Sequence, residues 1–225
     1  MNAVDFHTAI AAQFDSKYET SAAFRERFRV WTDLFDRYVG ATDTVMDMGC
    51  GSGVFSRYLA RMGCTVTAID GSEAMISLCQ QYESSANVHY VLDFLPLEDV
   101  TCYGPQHVII ASSLLEYIPD VTPVLHHANT LLTPGGLLIA SIPNRLSLYR
   151  RAERVVFALT GRPRYFAHVQ TVLTETAFTR QLSDMGFQHL ETVFYATNDP
   201  VSKFLKRVLP DRYVTNLFVA VYQKR

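Results

Sequence analysis

The segment TVMDMGCGSGV, residues 44–54, constrains the fold of this chain more than any other part of the sequence. A short apolar strand, Thr44–Met48, leads directly into a turn with glycine at every second position, and an apolar helix over about Val54–Met62 follows. Glycines in such a turn allow positive φ angles and close approach of a ligand, and the next helix presents unpaired N–H groups. The segment predicts a strand-turn-helix unit that binds a metabolite.

The alternation of strand and helix continues along the chain. The pattern predicts strands at 65–69, 88–92, 107–111 and 137–142, and helices at 22–39, 73–82, 121–132 and 174–185. Two further β-rich runs, 187–196 and 213–222, are predicted to pair antiparallel at a sheet edge. Because strands that alternate with helices form a parallel sheet covered on both sides, the sequence predicts an α/β fold.

Composition excludes several classes of protein. With 225 residues, 48% of them hydrophobic, the chain favours one compact domain over 1–225, and 20 basic against 22 acidic side chains give no global attraction to nucleic acid. The four cysteines lack metal-ligand spacing, which favours a reducing cytoplasm. The first residues do not resemble a secretion signal, and no apolar run approaches the length of a membrane span.

The acid beside the glycine turn distinguishes between two kinds of ligand. A dinucleotide dehydrogenase prefers G-x-G-x-x-G, but Val54 stands where the third glycine of that motif belongs. Asp47 would repel a pyrophosphate, whereas a carboxylate at this position suits an ammonium group. The sequence therefore favours a ligand that carries an amino acid.

Five segments in the expected order resemble the class I S-adenosylmethionine-dependent methyltransferases. They are VMDMGCGSG, VTAID with the following DGSEAM, VLDFLP, VIIASSLLEYIPD and LLTPGGLLIASIPN, and IAAQFDSKYE near the N-terminus resembles the Y-D-x-x-Y segment of many members. The resemblance implies a Rossmann-like, seven-stranded, mostly parallel sheet with an antiparallel edge strand. It also implies S-adenosyl-L-methionine as cofactor and S-adenosyl-L-homocysteine as product.

The same resemblance assigns the cofactor contacts. Asp47 would place the amino group, Asp70 the ribose hydroxyls, and Asp93 and Phe94 the adenine. The full set of implied cofactor residues is Tyr18, Asp47, Gly49, Gly51, Gly53, Asp70, Gly71, Ser72, Met75, Asp93, Phe94, Ser112, Ser113 and Leu114.

Methyl transfer needs an aligned acceptor and, for a hydroxyl acceptor, a base. His168 is the predicted base, with Tyr117 as a second catalytic candidate and Asn144, Arg145 and Tyr165 as candidate substrate contacts. SIPNR and the insertion after it resemble ubiquinone-pathway O-methyltransferases. Some of those enzymes carry a metal-binding E-x-x-E-H arrangement, of which this chain keeps only the carboxylate of Glu116, so we predict a reaction without a metal.

The sequence predicts a small-molecule acceptor, methylated at oxygen in preference to nitrogen, and no nucleic-acid partner. Two alternatives remain open, an N-methyltransferase of a heterocycle or amine and a cofactor-binding partner protein without turnover. Residues 1–40 are predicted to form a helical cap, and residues 144–170 an insertion on the substrate side.

The insertion is rich in arginine, with six arginines and one glutamate between Arg145 and Arg164. Its predicted helix carries arginines on one side and apolar residues on the other. A solvated helix over the mouth of the site is the favoured interpretation, and peripheral membrane contact is possible on this pattern but not favoured.

Overall fold

The computed structural model describes residues 18, 20–82, 87–162, 164–197 and 200–225, and at positions 164, 165, 200 and 201 it describes the backbone alone. Seven strands form one sheet, in the order β3-β2-β1-β4-β5-β7-β6. The strands are β1 (Thr44–Met48), β2 (Thr65–Asp70), β3 (Val88–Leu92), β4 (Gln106–Ala111), β5 (Leu132–Pro143), β6 (Phe187–Tyr195) and β7 (Leu217–Lys224).

Eight helices connect or flank the strands in the described part of the chain. They are α1 (Ala22–Tyr38), α2 (Val54–Met62), α3 (Glu73–Gln81), α4 (Thr122–Leu131), α5 (Leu148–Thr160), α6 (Glu175–Asp184), α7 (Pro200–Leu205) and α8 (Asp211–Val214). Short 3₁₀ turns lie at Val100–Cys102, Leu115–Tyr117 and Arg164–His168.

Strands β1 to β5 run parallel, while β7 lies antiparallel between β5 and β6. The predicted antiparallel pair at the sheet edge is therefore confirmed, with β6 outermost. The predicted run 213–222 begins too early, because Pro210 precedes a helical turn at Asp211–Val214 in which the Thr215 hydroxyl donates to the Asp211 carbonyl. The strand itself begins at Leu217.

Two hydrophobic layers cover the sheet, and the period of two along each strand divides the side chains between them. Met46 and Met48 face the layer that contains α4 and α6, whereas Val45 faces the layer of α1, α2 and α3. Asp47, two residues beyond Val45, shares its face of β1. The sequence thus points this carboxylate toward the layer of α1 and α2.

The strand order reverses beside β1. The chain passes from β1 outward to β2 and β3, then returns to place β4 on the other side of β1. In open α/β sheets, ligands bind at such a reversal, outside the carboxyl ends of the strands. The ends of β1 and β4 are consequently the place to look for a site.

Candidate functional site

A cavity of about 310 Å³ opens at this reversal. That volume lies within the range of small-molecule sites, which are concave, mostly apolar and lined by a few convergent polar groups. Its lining comes from β1 and the glycine turn, from α1, α2 and α3, from the end of β2, from the loops after β3 and β4, and from Tyr18. The lining residues are Tyr18, Phe24, Arg27, Asp47, Gly49, Cys50, Gly51, Ser52, Val54, Phe55, Asp70, Gly71, Met75, Asp93, Phe94, Leu95, Ser112, Ser113, Leu114, Glu116, Tyr117 and Ile118.

The glycine turn has the backbone form that the sequence predicts. Gly49 has φ +71°, and an added Cβ there would lie 2.7 Å from Cδ1 of Leu114, so a side chain is excluded by conformation and by space. Gly53 also has φ +71° and is the N-cap of α2, where a Cβ would lie 2.9 Å from Sγ of Cys79. Gly53 shapes the turn and, unlike Gly49 and Gly51, does not line the cavity.

Asp47 is almost completely buried at the base of the cavity, with 1% of its surface exposed. The Ser56 hydroxyl on α2 donates a 2.6 Å hydrogen bond to Oδ2. Burial raises the pKa of Asp47 from 3.8 to about 7, and the nearby Asp70 adds to the increase, while the hydrogen bond from Ser56 and the charge of Arg27 oppose it. A cationic group in the cavity would stabilise the ionised form.

Asp70 ends β2 and holds the glycine turn in place. The Gly51 N–H donates to Oδ2 and the Ser72 N–H to Oδ1, both at 2.9 Å. Burial raises the pKa of Asp70, against the effect of these two hydrogen bonds. Each carboxylate oxygen retains acceptor capacity for a ligand hydroxyl.

Replacing Asp70 by alanine is therefore expected to weaken binding of S-adenosylhomocysteine. Each lost hydrogen bond to a charged group corresponds to about 1.5–3 kcal/mol, or roughly ten- to a hundredfold in affinity. Calorimetric titration with S-adenosylhomocysteine measures this affinity. Asp70→Asn keeps one acceptor oxygen, so its affinity is expected to lie between those of the unmodified protein and of Asp70→Ala. Unchanged affinity of the alanine variant would contradict a ribose contact.

Another part of the lining combines acidic and apolar groups. Met75 on α3 is buried, whereas Phe94 after β3 keeps 59% of its surface exposed although it lines the cavity. The Tyr103 hydroxyl donates to Oδ2 of Asp93 at 2.5 Å and fixes this carboxylate. Ser72, the N-cap of α3, accepts from the Met75 N–H and does not line the cavity.

Arg27 of α1 is a lining residue that the sequence reasoning missed. Its Nη2 donates to Oγ of Ser112 at 2.8 Å and to the Ser112 carbonyl at 2.9 Å. Its guanidinium lies over the ring of Phe55, 5.5 Å from the centroid. Burial lowers the pKa of Arg27, but the nearby tyrosines and Glu116 outweigh it, so the pKa rises and the group stays charged.

The loop after β4 closes one end of the cavity. Ser113 has a left-handed backbone, with φ +52°, and its N–H donates to Oγ of Ser141 at 2.9 Å. Strained backbone of this kind concentrates at functional sites. Leu114, Glu116 and Tyr117 follow and line the cavity.

Four other predicted site residues are placed differently. His168 is partly buried at the end of a 3₁₀ turn and does not line the cavity. Asn144 is completely buried outside the cavity, and its Nδ2 donates to the carbonyls of Arg212 and Thr215, joining the end of β5 to the approach to β7. Arg145 is exposed and lines a separate groove. The side chain of Tyr165 lies outside the described residues.

The arginine-rich helix has an orientation that the favoured interpretation did not anticipate. None of the residues of α5, all of which the structure describes, is buried, and Val155 and Leu159 are 61% and 80% exposed. Arg150 instead points inward, since its side chain is only 16% exposed. Its Nη1 lies 3.7 Å from Oε2 of Glu153. The apolar side of α5 therefore faces solvent and an arginine faces the body of the protein.

The described residues contain no group of three or more His, Cys, Asp or Glu side chains that could hold a metal ion. Of the helices in the same part of the chain, none is long and apolar enough to cross a membrane.

Charge in the cavity is unevenly distributed. Among the described lining residues, four carboxyl side chains face one guanidinium, that of Arg27. The carboxyl groups are those of Asp47, Asp70, Asp93 and Glu116. Such a lining favours a ligand with more positive than negative charge and disfavours a pyrophosphate.

Proteins of similar sequence are O-methyltransferases by name. The chain is 36% identical over 117 residues to a ubiquinone biosynthesis O-methyltransferase of Azotobacter vinelandii, a match that covers 51% of this chain and 50% of the relative. A relative of the same name from Pseudomonas fluorescens is 33% identical over 135 residues, covering 58% and 54%. The chain thus spans about half the length of the curated relatives it matches.

Solved structures share the fold at low sequence identity. The N-methyltransferase NodS of Bradyrhizobium japonicum, in complex with S-adenosyl-L-homocysteine, has a TM-score of 0.68 at 19% identity and covers 100% of this chain and 99% of its own. Magnesium protoporphyrin IX methyltransferase of Synechocystis, with the same compound bound, has a TM-score of 0.63 at 18% identity, covering 100% and 88%. These likenesses confirm the predicted fold class.

A family model described as a methyltransferase domain matches residues 23–192. That range begins in α1 and ends in β6, so it includes the glycine turn and every described element around the cavity from α1 onward. With this match over most of its length, the chain belongs to the methyltransferase domain family.

Proposed function

We propose that this protein transfers the methyl group of S-adenosylmethionine to an oxygen of a small organic molecule, without a metal ion. The observation that carries the proposal is the cavity at the ends of β1 and β4, in which Asp47, Arg27 and Asp70 come together. These groups match the amino group, the carboxylate and the ribose of that cofactor.

The residues present fit the cofactor in charge as well as in position. S-adenosylmethionine carries an ammonium and a sulfonium against one carboxylate, and the lining has four carboxyl groups against one guanidinium. In this arrangement Arg27 and Tyr18 would hold the carboxylate, Asp47 the ammonium and Asp70 the ribose. Met75, Asp93 and Phe94 would enclose the adenine, with the Phe94 ring at the exposed mouth.

The contribution of the chain to the reaction is positioning and exclusion of water. When bound, the cofactor supplies an electrophilic methyl group. Ser113, Leu114 and Tyr117 would surround the acceptor, and Arg27, through its bonds to Ser112, fixes the loop that carries them. Holding reactants in line in this way contributes on the order of several kcal/mol to barrier reduction.

The names of the relatives from Azotobacter and Pseudomonas support oxygen as the atom methylated. An N-methyltransferase is the alternative within the same site, since a neutral nitrogen needs no protein base. A single domain over 1–225 with a substrate-side insertion at 144–170 and a reducing, cytoplasmic setting complete the proposal. Residues 1–17 and 19 of the predicted cap lie outside the described residues.

Labelled S-adenosylmethionine incubated with extract of a strain that lacks this protein tests the function directly. Addition of the purified protein is expected to label a small organic product, and mass spectrometry of that product identifies the acceptor and the atom. Saturable binding of S-adenosylhomocysteine with no labelled product would instead indicate a cofactor-binding protein without turnover.

Chelation tests the absence of a metal requirement. The protein with excess EDTA is expected to form labelled product at the same rate as without it. Loss of transfer that only magnesium or zinc restores would contradict this part of the proposal.

A further inference from the structure

Glu116 is a buried carboxyl group that cofactor binding, as proposed above, does not use. The residue lines the cavity, yet only 5% of its surface is exposed. Its Oε2 atom has no hydrogen-bond partner among the described residues. Buried polar groups normally have partners, so an exception beside a ligand cavity calls for a functional explanation.

The backbone of Glu116 is fixed from outside the cavity. Its carbonyl accepts the N–H of Gln170 at 2.7 Å and that of Thr171 at 3.1 Å, within the 3₁₀ turn Leu115–Tyr117. These bonds tie the loop after β4 to the segment that follows the arginine-rich helix. Glu116 is thereby held two residues beyond Leu114, at the end of the cavity where we place the acceptor.

On this geometry, and resting on the proposed function, we propose that Glu116 is the general base that accepts the proton of the acceptor hydroxyl. As the acceptor oxygen forms its bond to the methyl carbon, the bond between that carbon and sulfur breaks and its electron pair remains on sulfur as a thioether. The hydroxyl proton passes to the Glu116 carboxylate, which returns it to water when the product leaves.

The surroundings of Glu116 suit this role. Burial raises its pKa from 4.5 to about 7, while a hydrogen bond from its own N–H, the charges of two arginines and the Ser113 hydroxyl oppose the increase. A base that titrates near the working pH is the most effective for proton transfer. The groups that act on Glu116 are Arg27 of α1, Arg150 of α5 and the Ser113 hydroxyl of its own loop. Glu116 in turn raises the pKa of Tyr195 of β6, and Tyr117 interacts with Arg27.

Glu116 and His168 can be distinguished as the base by substitution. Glu116→Gln keeps the size of the side chain but cannot accept the proton, so this variant lacks the base if the base is Glu116. We compare this variant with Glu116→Asp, with His168→Ala and with Glu98→Gln, a control at an exposed glutamate outside the cavity. Transfer is measured with labelled S-adenosylmethionine, using extract of the strain that lacks the protein as the source of acceptor.

Glu116→Gln is expected to slow transfer by about a hundredfold or more at pH 8, because general-base catalysis contributes about 10²–10⁴. Its affinity for S-adenosylhomocysteine should stay within about threefold of the unmodified value, since a base contributes little to ground-state binding. At saturating S-adenosylmethionine, the rate of the unmodified protein should rise with pH with a midpoint near 7 and level off above it, and that of Glu116→Gln should be flat. Glu116→Asp should recover part of the rate, and Glu98→Gln should behave as the unmodified protein.

A readout independent of activity is the infrared band of the protonated carboxyl group, identified by its absence in Glu116→Gln. With S-adenosylhomocysteine bound, this band should disappear with a midpoint near pH 7. A midpoint near the ordinary value of 4.5 would overturn the proposal. So would a Glu116→Gln rate above a tenth of the unmodified one, or loss of the pH-dependent rise in His168→Ala.

If the unmodified protein binds S-adenosylhomocysteine but transfers no methyl group, the proposed function fails. This result is distinct from failure of Glu116 as the base.

Discussion

Replacing Asp47 by asparagine is expected to lower the affinity for S-adenosylhomocysteine by roughly ten- to a hundredfold while making the protein without ligand more stable. The loss of affinity follows because the neutral amide cannot form an ion pair with an ammonium group, and a hydrogen bond to a charged group corresponds to about 1.5–3 kcal/mol. The gain in stability follows because the folded protein no longer buries an ionisable carboxyl group, while the amide oxygen can still accept from Ser56.

The pH dependence of Asp47 gives the sign of both effects. Its pKa in the folded protein is about 7, above the ordinary 3.8, so the folded state binds the proton more tightly than the unfolded state does. Its contribution to stability is therefore complete below pH 3.8 and is lost as the pH rises toward 7. Ligand binding shows the opposite trend, because only the ionised carboxylate pairs with the ammonium, and affinity should increase up to about pH 7 and then level off.

Thermal unfolding without ligand and calorimetric titration with S-adenosylhomocysteine, both over pH 5–9, measure these effects. At pH 8 the asparagine variant should melt about 2–4 °C higher for each kcal/mol gained by a chain of this length. Asp33→Asn is the matched control, since Asp33 is exposed on the outer side of α1. If Asp47→Asn is less stable than the unmodified protein and binds S-adenosylhomocysteine with the same affinity, Asp47 does not contact the cofactor.

Replacing Arg27 by methionine is expected to lower the affinity for S-adenosylhomocysteine by roughly ten- to a hundredfold. The affinity for 5′-methylthioadenosine should not change. The second compound keeps the adenine, ribose and sulfur but lacks the amino-acid end. Methionine retains an apolar stem against Phe55 and removes the charge, so the difference between the two ligands isolates the carboxylate contact.

Calorimetric titration of both ligands into this variant and into Arg29→Met, an exposed position on the same helix, provides the comparison. Equal losses for both ligands would show that Arg27 acts by holding Ser112 in place and not by binding the carboxylate. Unchanged affinity for both would exclude Arg27 from cofactor binding.

Much of the fold follows from local sequence signals. Gly53 and Gly63, both with positive φ, begin and end α2 where glycine after a strand and glycine after an apolar helix predict them. The period of two in β1 also predicts which layer Asp47 faces. Local signals fail at Tyr213 and Val214, whose β propensity is outweighed by the helical turn after Pro210.

The site was less accessible to sequence reasoning because it depends on contacts between distant segments. Arg27 lies three residues after Phe24 and four before Trp31, on the apolar stripe of α1, and an arginine on a buried stripe is the signal that could have identified it. The sequence motif accounts for Glu116 only as the remaining carboxylate of a metal-binding arrangement. The charges of Arg27 and Arg150 act on Glu116 from positions far away in the chain. Neither this environment nor an Oε2 atom without a described partner can be predicted from sequence periodicity. The outward direction of the apolar side of α5 is likewise set by tertiary structure.

The most direct test of this account is calorimetric titration of the unmodified protein with S-adenosylhomocysteine, with NAD as the comparison ligand. The folded protein is expected to bind one S-adenosylhomocysteine per chain saturably and not to bind NAD, because the four carboxyl groups of the cavity oppose a pyrophosphate. Absence of binding by the folded protein, or equal binding of NAD, would contradict the assignment of this cavity as a cofactor site.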